Sequence, residues 1–306
     1  MTVSQRDVAG GAYKVQTLRV GDARVHRLSD IETVKWPATS LLKWLTGEQL
    51  AAAAARLPPG MVDPETNSIL LSFNSYVVET AGKVVLIDAG VGNGKERLDR
   101  PHWHRRNGLF MAALTEMGFA PERVDIVVNT HMHADHVGWN TVADDDGNWV
   151  PAFPNALYLA PADDLAFWSK RFAAEGDALL HGSFADSVAP LLKLGRLEGV
   201  ALPHEIVPGL TLEPAPGHSP GMAVVRLRTA DAEVLFLADV IHHPAQLSDP
   251  GKGSNFCMDP AVAAATRRRL LDECAAAATI VAPYHFPAPV FGRLRAVGEG
   301  FDYIPL

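Results

Sequence analysis

Runs of apolar residues along the chain predict strands that alternate with helices. Nearly continuous apolar stretches, such as residues 84–87 and 124–128, are typical of buried strands. We predict strands at residues 24–28, 69–79, 83–88, 124–128, 156–159, 210–213, 222–228, 234–238 and 279–282. We predict helices at residues 40–57, 108–117, 162–172, 187–194 and 260–278, the last with Asp259 as its N-cap.

The order of these elements predicts an α/β fold. Strands interleave with helices in two comparable halves, which is typical of a layered sandwich with helices on the outside. No stretch rich in glycine, proline or serine divides the 306 residues. We therefore predict a single domain over residues 1–306, in which residues 1–20 form a loose N-terminal arm.

Composition narrows the classes of partner. The chain has a formal net charge of −8 and no long basic run, which argues against a nucleic-acid ligand. Its two cysteines, Cys257 and Cys274, are too few for a disulfide framework or a cysteine zinc site. No apolar run has the character of a signal peptide or the length of a membrane span. We expect a soluble, cytoplasmic protein with a small-molecule substrate and no nucleic-acid or membrane partner, and a homodimer stays open.

A dense polar cluster directly follows the strand at 124–128. It consists of His131, His133, Asp135 and His136, all within six positions. These side chains cannot all face an apolar core, because buried polar groups need partners. Imidazole nitrogen and carboxylate oxygen are ligands for divalent metals such as zinc. The cluster therefore predicts a metal site, and the alternative is a solvated histidine-rich loop.

Three more residues of ligand type lie beside apolar strands downstream, namely His218, Asp239 and His285. Neighbouring glycines and prolines permit the sharp turns that such positions need. With the upstream cluster they make seven candidate ligands, enough for two metals. The most economical partition gives one metal His131, His133 and His218, and the other Asp135, His136 and His285, with Asp239 bridging both.

This ordered set resembles the metallo-β-lactamase superfamily of metallohydrolases, whose motif is His-x-His-x-Asp-His followed by a lone His, a lone Asp and a last His. Asp88-Ala89-Gly90 matches the aspartate turn of that family, in which the aspartate supports the site from behind the ligands. Segments at 152–156, 167–168 and 300–301 are most similar to the branch with methyl parathion hydrolase and the acyl-homoserine-lactone lactonases. The resemblance implies a four-layer αβ/βα sandwich, with two mixed sheets and helices outside.

The resemblance also implies a chemistry. A hydroxide bridging two zinc-type ions, roughly 3.5–4 Å apart, would attack a carboxylic ester or lactone. Asp135 would ligate the second ion, orient the hydroxide and pass a proton to the leaving group. We expect two divalent ions per chain, Zn²⁺ first, with Mn²⁺, Co²⁺ or Fe²⁺ as alternatives. Because the same hydroxide attacks phosphorus, a phosphotriesterase resembling methyl parathion hydrolase is the alternative function.

Two positions depart from that branch. Met222 replaces the second histidine of its Gly-His-Thr-Pro-Gly-His segment, which is not one of the seven expected ligands. The lactonases have a tyrosine three residues after the bridging aspartate, where it hydrogen-bonds the substrate carbonyl, and here that residue is His242. Acyl-homoserine-lactone specificity therefore does not follow from the resemblance. His242 is either an oxyanion donor or a structural histidine beside the site.

Competing functions explain less of the sequence. Residues 217–221 fit the G-x-S-x-G pattern of serine hydrolases, but that pattern needs a helix after the serine, and a strand pattern follows instead. Residues 90–95 match no phosphate-binding loop, because Lys95 is followed by Glu96. A mononuclear iron dioxygenase of the same superfamily would need only a subset of the seven ligands. A non-enzymatic binding protein would have no need to keep them all.

Aromatic residues near the ligands are candidates for the substrate pocket. Trp103 lies between the Asp88 turn and the histidine cluster, and Phe167 and Trp168 match an aromatic pair of methyl parathion hydrolase-like sequences. We predict that these three residues line the pocket. An aromatic, mostly uncharged pocket would suit an apolar ester, lactone or aryl substrate.

Overall fold

Two β-sheets organise the chain in a computed structural model that describes residues 2–306. The first eleven strands are β1 (Thr2–Val8), β2 (Tyr13–Val20), β3 (Ala23–Pro37), β4 (Val62–Asp63), β5 (Ser68–Thr80), β6 (Lys83–Ile87), β7 (Ile126–Val128), β8 (Thr141–Ala143), β9 (Trp149–Pro151), β10 (Leu157–Pro161) and β11 (Leu197–Val200). All of these except the small β8–β9 hairpin form one nine-stranded sheet.

The second sheet has seven strands in sequence order. They are β12 (His204–Val207), β13 (Leu210–Pro214), β14 (Ala223–Arg228), β15 (Glu233–Phe236), β16 (Ile280–Ala282), β17 (Gly292–Val297) and β18 (Gly300–Pro305). Both sheets are mixed, because β6–β7 and β15–β16 pair in parallel among otherwise mostly antiparallel neighbours. The first sheet runs β1-β2-β3-β5-β6-β7-β10-β11, with β4 beside β5.

Seven α-helices connect these strands. They are α1 (Ala38–Leu41), α2 (Gly47–Arg56), α3 (Phe110–Glu116), α4 (Ala134–Val137), α5 (Ala162–Glu175), α6 (Ala189–Lys193) and α7 (Pro260–Ala277). The predicted N-cap of the last helix is confirmed, because the Asp259 carboxylate accepts from the backbone N–H groups of Ala261 and Val262. None of the helices within residues 2–306 combines the length and the apolar character needed to cross a bilayer.

The hydrophobic core lies in three layers that explain the order of the elements. Between the sheets, Val78 and Val25 of the first pack with Val225 and Phe236 of the second. Another cluster packs α3 and α5 on the outer face of the first sheet, and a third packs α7 on the outer face of the second. The predicted four-layer αβ/βα sandwich is thereby confirmed. Burial of this apolar surface is the main favourable contribution to folding.

The hairpin of β5 and β6 shows how the sequence specifies local structure. Its turn residues Ala81 and Gly82 both have positive φ, 50° and 73°. Two-residue turns of this type match the right-handed twist of the flanking strands. The hairpin predicted at 69–79 and 83–88 is confirmed with small shifts of its ends.

The prediction of a loose arm at residues 1–20 is wrong for its described part. Residues 2–20 form β1 and β2, which pair antiparallel from Thr2–Arg19 to Val8–Tyr13. Most residues of β1 are polar and exposed, so the apolar pattern that would predict a strand is weak. Backbone pairing with β2 at the edge of the sheet nevertheless forms the strand.

The predicted helix at 40–57 is interrupted between α1 and α2. Contacts with a residue distant in sequence cause the interruption. The side-chain oxygen of Asn255 accepts from the Lys43 backbone N–H, and the backbone N–H of Asn255 donates to the Leu41 carbonyl. These contacts satisfy backbone groups that would otherwise continue the helix.

Candidate metal centre

The predicted ligands lie where the central strands of the two sheets end. The turn after β7 begins with Asn129 and carries the histidine cluster, and its short helix α4 contains Asp135 and His136. Asp239 and His285 follow β15 and β16, which are parallel neighbours in the second sheet. Because the carboxyl ends of parallel strands meet at one edge, residues distant in sequence converge there.

The seven predicted side chains form two compact groups. In the first, the ligand atoms of His131, His133, His218 and Asp239 all lie within 4.8 Å of one another, and in the second the same holds for Asp135, His136 and His285. The three histidines of the first group and all members of the second fall as the sequence partition has them, whereas Asp239, predicted to be shared, lies with the first group by this distance.

Asp239 lies between the two groups. Its Oδ2 is 3.1 Å from Nε2 of His218 and 3.8 Å from Nε2 of His131. Its Oδ1 is 3.2 Å from Nε2 of both His136 and His285. One carboxylate thus presents one oxygen to each group, which is the geometry required of a bridging ligand.

Hydrogen bonds at the far ring nitrogens orient three of the imidazoles. Nδ1 of His136 lies 2.8 Å from Oδ2 of Asp88, and Nδ1 of His285 lies 3.1 Å from the carbonyl of Ser72. Nδ1 of His131 contacts the hydroxyl of Thr130 at 3.1 Å. With Nδ1 engaged, Nε2 of each ring faces the centre, as is usual for histidines that bind metals.

The centre contains polar atoms that the protein leaves without partners. Nε2 of His131, Nε2 of His136 and Oδ1 of Asp239 are buried and have no hydrogen-bond partner within residues 2–306. Buried polar atoms without partners are costly, and in native proteins each requires an explanation. A pair of divalent cations satisfies all three, so these residues fit a dinuclear site.

The carboxylates of the centre raise the pKa of two imidazoles. Burial opposes protonation of His136, but nearby carboxylates, Asp239 first, outweigh it and raise the pKa of His136 well above its ordinary value. Burial also opposes protonation of His218, and Asp239 raises its pKa to about 9. Metals bind the deprotonated forms, so metal binding should release protons from both residues.

The loop after β6 places Asp88 behind the centre. Asp88 has a φ of 55°, in the left-handed region that non-glycine residues rarely adopt. Its carboxylate accepts from the backbone N–H and the hydroxyl of Thr130, at 2.8 and 2.9 Å. Gly138 permits the close approach of this loop, because a Cβ there would lie 1.9 Å from the carbonyl oxygen of Val91.

The two histidines after Asp239 have different surroundings. His242 is buried beside the centre, with Nε2 3.3 Å from Oδ2 of Asp239, and neither ring nitrogen has a hydrogen-bond partner among residues 2–306. Burial lowers the pKa of His242 to about 3, so its ring is neutral near pH 7. His243 turns away, and its Nδ1 caps the turn at Pro244–Ser248 while Nε2 lies 2.9 Å from the Met61 carbonyl.

A cavity of about 230 Å³ opens directly onto the centre. Five of the predicted ligands lie in its wall, together with His242. The rest of the wall is mostly apolar and includes Trp36, Leu41, Leu71, Phe73, Trp103 and Phe256. The mixture of apolar walls and a few convergent polar groups is typical of a small-molecule site.

Two of the three predicted pocket residues lie outside this cavity. Trp103 lines it, but Trp168 is buried behind His133, with ring centroids 5.5 Å apart, and its Nε1 donates to the hydroxyl of Ser219 at 2.8 Å. Phe167, in the same helix α5, is partly buried and packs against the core. The helical spacing of the pair directs Trp168 into the protein, so it supports a ligand rather than contacting the cavity.

Several residues at the site were not predicted. Tyr284 stacks on His136 at 3.9 Å between centroids and donates to the carbonyl of Asp135. Arg100 also lines the cavity. The position of Tyr284 directly before His285 is a local signal that could have found it, whereas Arg100 has no such signal.

Comparisons with known proteins agree with this geometry. The family model described as "Metallo-beta-lactamase superfamily" matches residues 70–285. The N-acyl homoserine lactonase AiiA of Bacillus thuringiensis subsp. kurstaki is 26% identical over 213 residues, 64% of this chain and 73% of that protein. The human metallo-beta-lactamase domain-containing protein 1 is 26% identical over 295 residues, 95% of this chain and 86% of that protein.

Solved structures show the same fold. The dizinc quorum-quenching lactonase AidC aligns with a TM-score of 0.77 at 21% identity, covering 96% of this chain and 98% of that one. The hydrolase AbOPH aligns with a TM-score of 0.76 at 23% identity, covering 95% and 96%. Since the family model spans well over half of the sequence, the chain belongs to the metallo-β-lactamase superfamily.

Proposed function

We propose that this chain is a dinuclear metal-dependent hydrolase of carboxylic esters or lactones. The observation that carries the proposal is Asp239, whose two carboxylate oxygens face two separate groups of ligand atoms. A single-metal enzyme has no use for the second group. The names of relatives add support, because AiiA is an N-acyl homoserine lactonase and AidC is a dizinc lactonase.

The metals and the protein would have separate tasks. Two divalent ions, when bound, supply a water of lowered pKa as nucleophile and a Lewis acid for the carbonyl oxygen. His131, His133 and His218 would hold one ion, and Asp135, His136 and His285 the other, with Asp239 shared. Zinc is the first candidate for this donor set, because it favours nitrogen and oxygen ligands.

Two residues at the cavity would act on the substrate itself. His242 is neutral and carries one N–H donor in a buried position, where it can hydrogen-bond the carbonyl oxygen as negative charge develops. Asp135 lines the cavity and can hold a proton between the attacking water and the leaving oxygen. The apolar wall excludes bulk water and strengthens both interactions.

The proposal is tested by metal analysis and a hydrolysis panel. The purified protein should contain two equivalents of metal, and with zinc, manganese or cobalt it should hydrolyse a γ-lactone or an aryl ester faster than a β-lactam. A phosphotriester in the same panel tests the alternative function. One iron per chain, or no turnover of lactone and ester with any metal, would contradict the proposal.

Matched variants separate the roles of the residues. Replacement of Asp239 with Asn should reduce the metal content and abolish turnover. Replacement of His242 with Ala should keep two equivalents of metal and lower kcat about 10²- to 10³-fold, which is typical for loss of one oxyanion donor. An unchanged kcat in that variant would make His242 a structural residue.

A further inference from the structure

Part of the cavity wall comes from two loops that a buried arginine joins. Arg97 pairs with both carboxylate oxygens of Asp186, at 2.7 and 2.9 Å, and also donates to the carbonyl of His181 at 3.2 Å. Its side chain is fully buried. Bidentate, buried pairs of this kind fix geometry. The loop at residues 97–103 and the loop at residues 180–181 are therefore held together as one wall.

Arg100 places a permanent positive charge in that wall. Arg100 lines the cavity at the centre and also an outer depression of about 310 Å³, so the residue lies where the two meet. Within residues 2–306 the one hydrogen bond of the Arg100 guanidinium goes to the backbone carbonyl of Asp99 at 3.3 Å. Oδ2 of Asp99 lies 3.7 Å from Nη1 of Arg100 but 2.7 Å from Nδ1 of His181, so the Asp99 carboxylate interacts more closely with His181 than with Arg100.

Trp103 adds a second donor beside Arg100. Its indole lines both cavities, and the Arg100 guanidinium lies 5.8 Å from the ring centroid. Trp103 is only 7% exposed, and its Nε1–H is buried with no acceptor among residues 2–306. Buried indole N–H groups normally have a partner, and this one has none among residues 2–306.

The aromatic part of the wall provides no acceptor for these two donors, and the carboxylates of the wall, Asp135 and Asp239, belong to the two ligand groups. Trp36 and Phe73 contact the Trp103 ring, and with Phe256 they form an apolar lining. A cation and an unpaired N–H within an apolar wall match an anionic oxygen group on a bound molecule, because charge-assisted hydrogen bonds are strongest away from water.

We propose that Arg100 and Trp103 form an anion-binding subsite, so that the preferred substrates are esters or lactones carrying a carboxylate a short distance from the scissile carbonyl. This inference rests on the proposed hydrolase function. The cavity of about 230 Å³ lies below the usual range for drug-sized ligands, roughly 300–1,000 Å³, which favours a compact substrate.

A matched pair of lactones tests the subsite. One is a γ-butyrolactone with a carboxylate on the ring carbon next to the ring oxygen, and the other is the neutral carboxamide of the same shape. Hydrolysis is followed by pH-stat titration. The wild-type protein should have the higher kcat/KM for the carboxylate, and R100Q should lower the carboxylate-to-carboxamide ratio of kcat/KM about 10- to 100-fold.

Three further variants make the test specific. Arg105 lies in the same loop but is exposed and pairs with Glu96, so R105Q makes the same charge change outside the cavity and should leave the ratio unchanged. R100K keeps the charge and should keep most of the preference. Trp103→Phe removes only the N–H donor and should lower the ratio several-fold. An unchanged ratio in R100Q, or an equal loss in R105Q, would overturn the subsite.

Binding separates this inference from the hydrolase proposal. If the wild-type protein hydrolyses neither lactone, the proposed function fails for lactones, and calorimetric titration then decides the subsite. Tighter binding of the carboxylate by wild-type protein than by R100Q supports it. Equal binding by both would mean that the carboxylate binds elsewhere, at the metals for example, and would overturn it.

Discussion

Asp164 in α5 joins the two loops that carry the three histidines of the first ligand group. Its Oδ2 accepts from the backbone N–H of Met132, between His131 and His133, at 2.9 Å. Its Oδ1 accepts from the backbone N–H of Gly221 at 3.1 Å and from the hydroxyl of Ser219. Asp164 is fully buried. Replacement with Ala should therefore disturb both the stability of the fold and the geometry of the centre.

The magnitude follows from the donors left behind. Two backbone N–H groups cannot turn away, and each buried donor without a partner costs about 1–3 kcal/mol. The wild-type protein already incurs a cost for burying the carboxylate, since burial raises the pKa of Asp164. We therefore expect Asp164→Ala to lower the free energy of unfolding by about 3 kcal/mol, and Asp164→Asn, which keeps one acceptor oxygen, by about half as much.

The assay is urea unfolding with a chelator present, so that metal binding does not contribute to stability. Zinc affinity is measured separately by competition with an indicator dye and should fall at least tenfold in Asp164→Ala. Asp163, its exposed neighbour in the same helical turn, is the control, and Asp163→Ala should change stability by less than about 1 kcal/mol. Equal, small effects of both substitutions on stability and zinc affinity would refute the reasoning.

Three other substitutions test single features. Asp88→Asn should weaken zinc binding about 10- to 100-fold because it weakens the hold on His136, and unchanged affinity in a dye competition would contradict this. Trp168→Phe removes one hydrogen bond and should lower the free energy of unfolding by about 1 kcal/mol with an unchanged KM; a raised KM at full stability would place Trp168 in the pocket. His243→Asn tests pH dependence, because burial lowers the pKa of His243 to about 4 in the folded state, whereas in the unfolded chain it is near 6.5. The stability contributed by neutral His243 is complete above pH 6.5 and is lost as the pH falls towards 4. Between pH 8 and 5 the wild-type protein should thus lose about 2 kcal/mol more than His243→Asn in urea titrations with chelator, and parallel pH profiles would refute the assignment.

The central strands and the ligand positions could be predicted because residue chemistry constrains them strongly. Three imidazoles and a carboxylate in six positions after a strand have few satisfactory surroundings other than a metal. Asp239 and His285 follow the ends of β15 and β16. Because these strands pair in parallel, their ends lie together independently of the conformation of the loops.

The supporting residues could not be predicted because single positions do not encode their roles. Asp164 lies in the first turn of a helix, where an acidic residue is ordinary, and only the fold brings Met132 and Gly221 to its carboxylate. The strands β1 and β2 were missed for a related reason. The exposed polar face of β1 has little periodic apolar signal, and its order comes from backbone pairing with β2.

The cavity depends on contacts between loops that are distant in sequence. Leu180 and His181 reach its wall through consecutive left-handed backbone conformations, with φ of 52° and 60°. Such conformations cost energy in non-glycine residues and persist only where the surroundings impose them. Here the imposing contact is Arg97, which holds the carbonyl of His181 from a loop more than eighty residues away in sequence. Under the proposed function, the seven ligands would determine which reaction is available, and this pair of loops would determine which molecule enters the cavity. We therefore expect differences in substrate between this chain and the lactonases to arise in these loops rather than among the seven ligands.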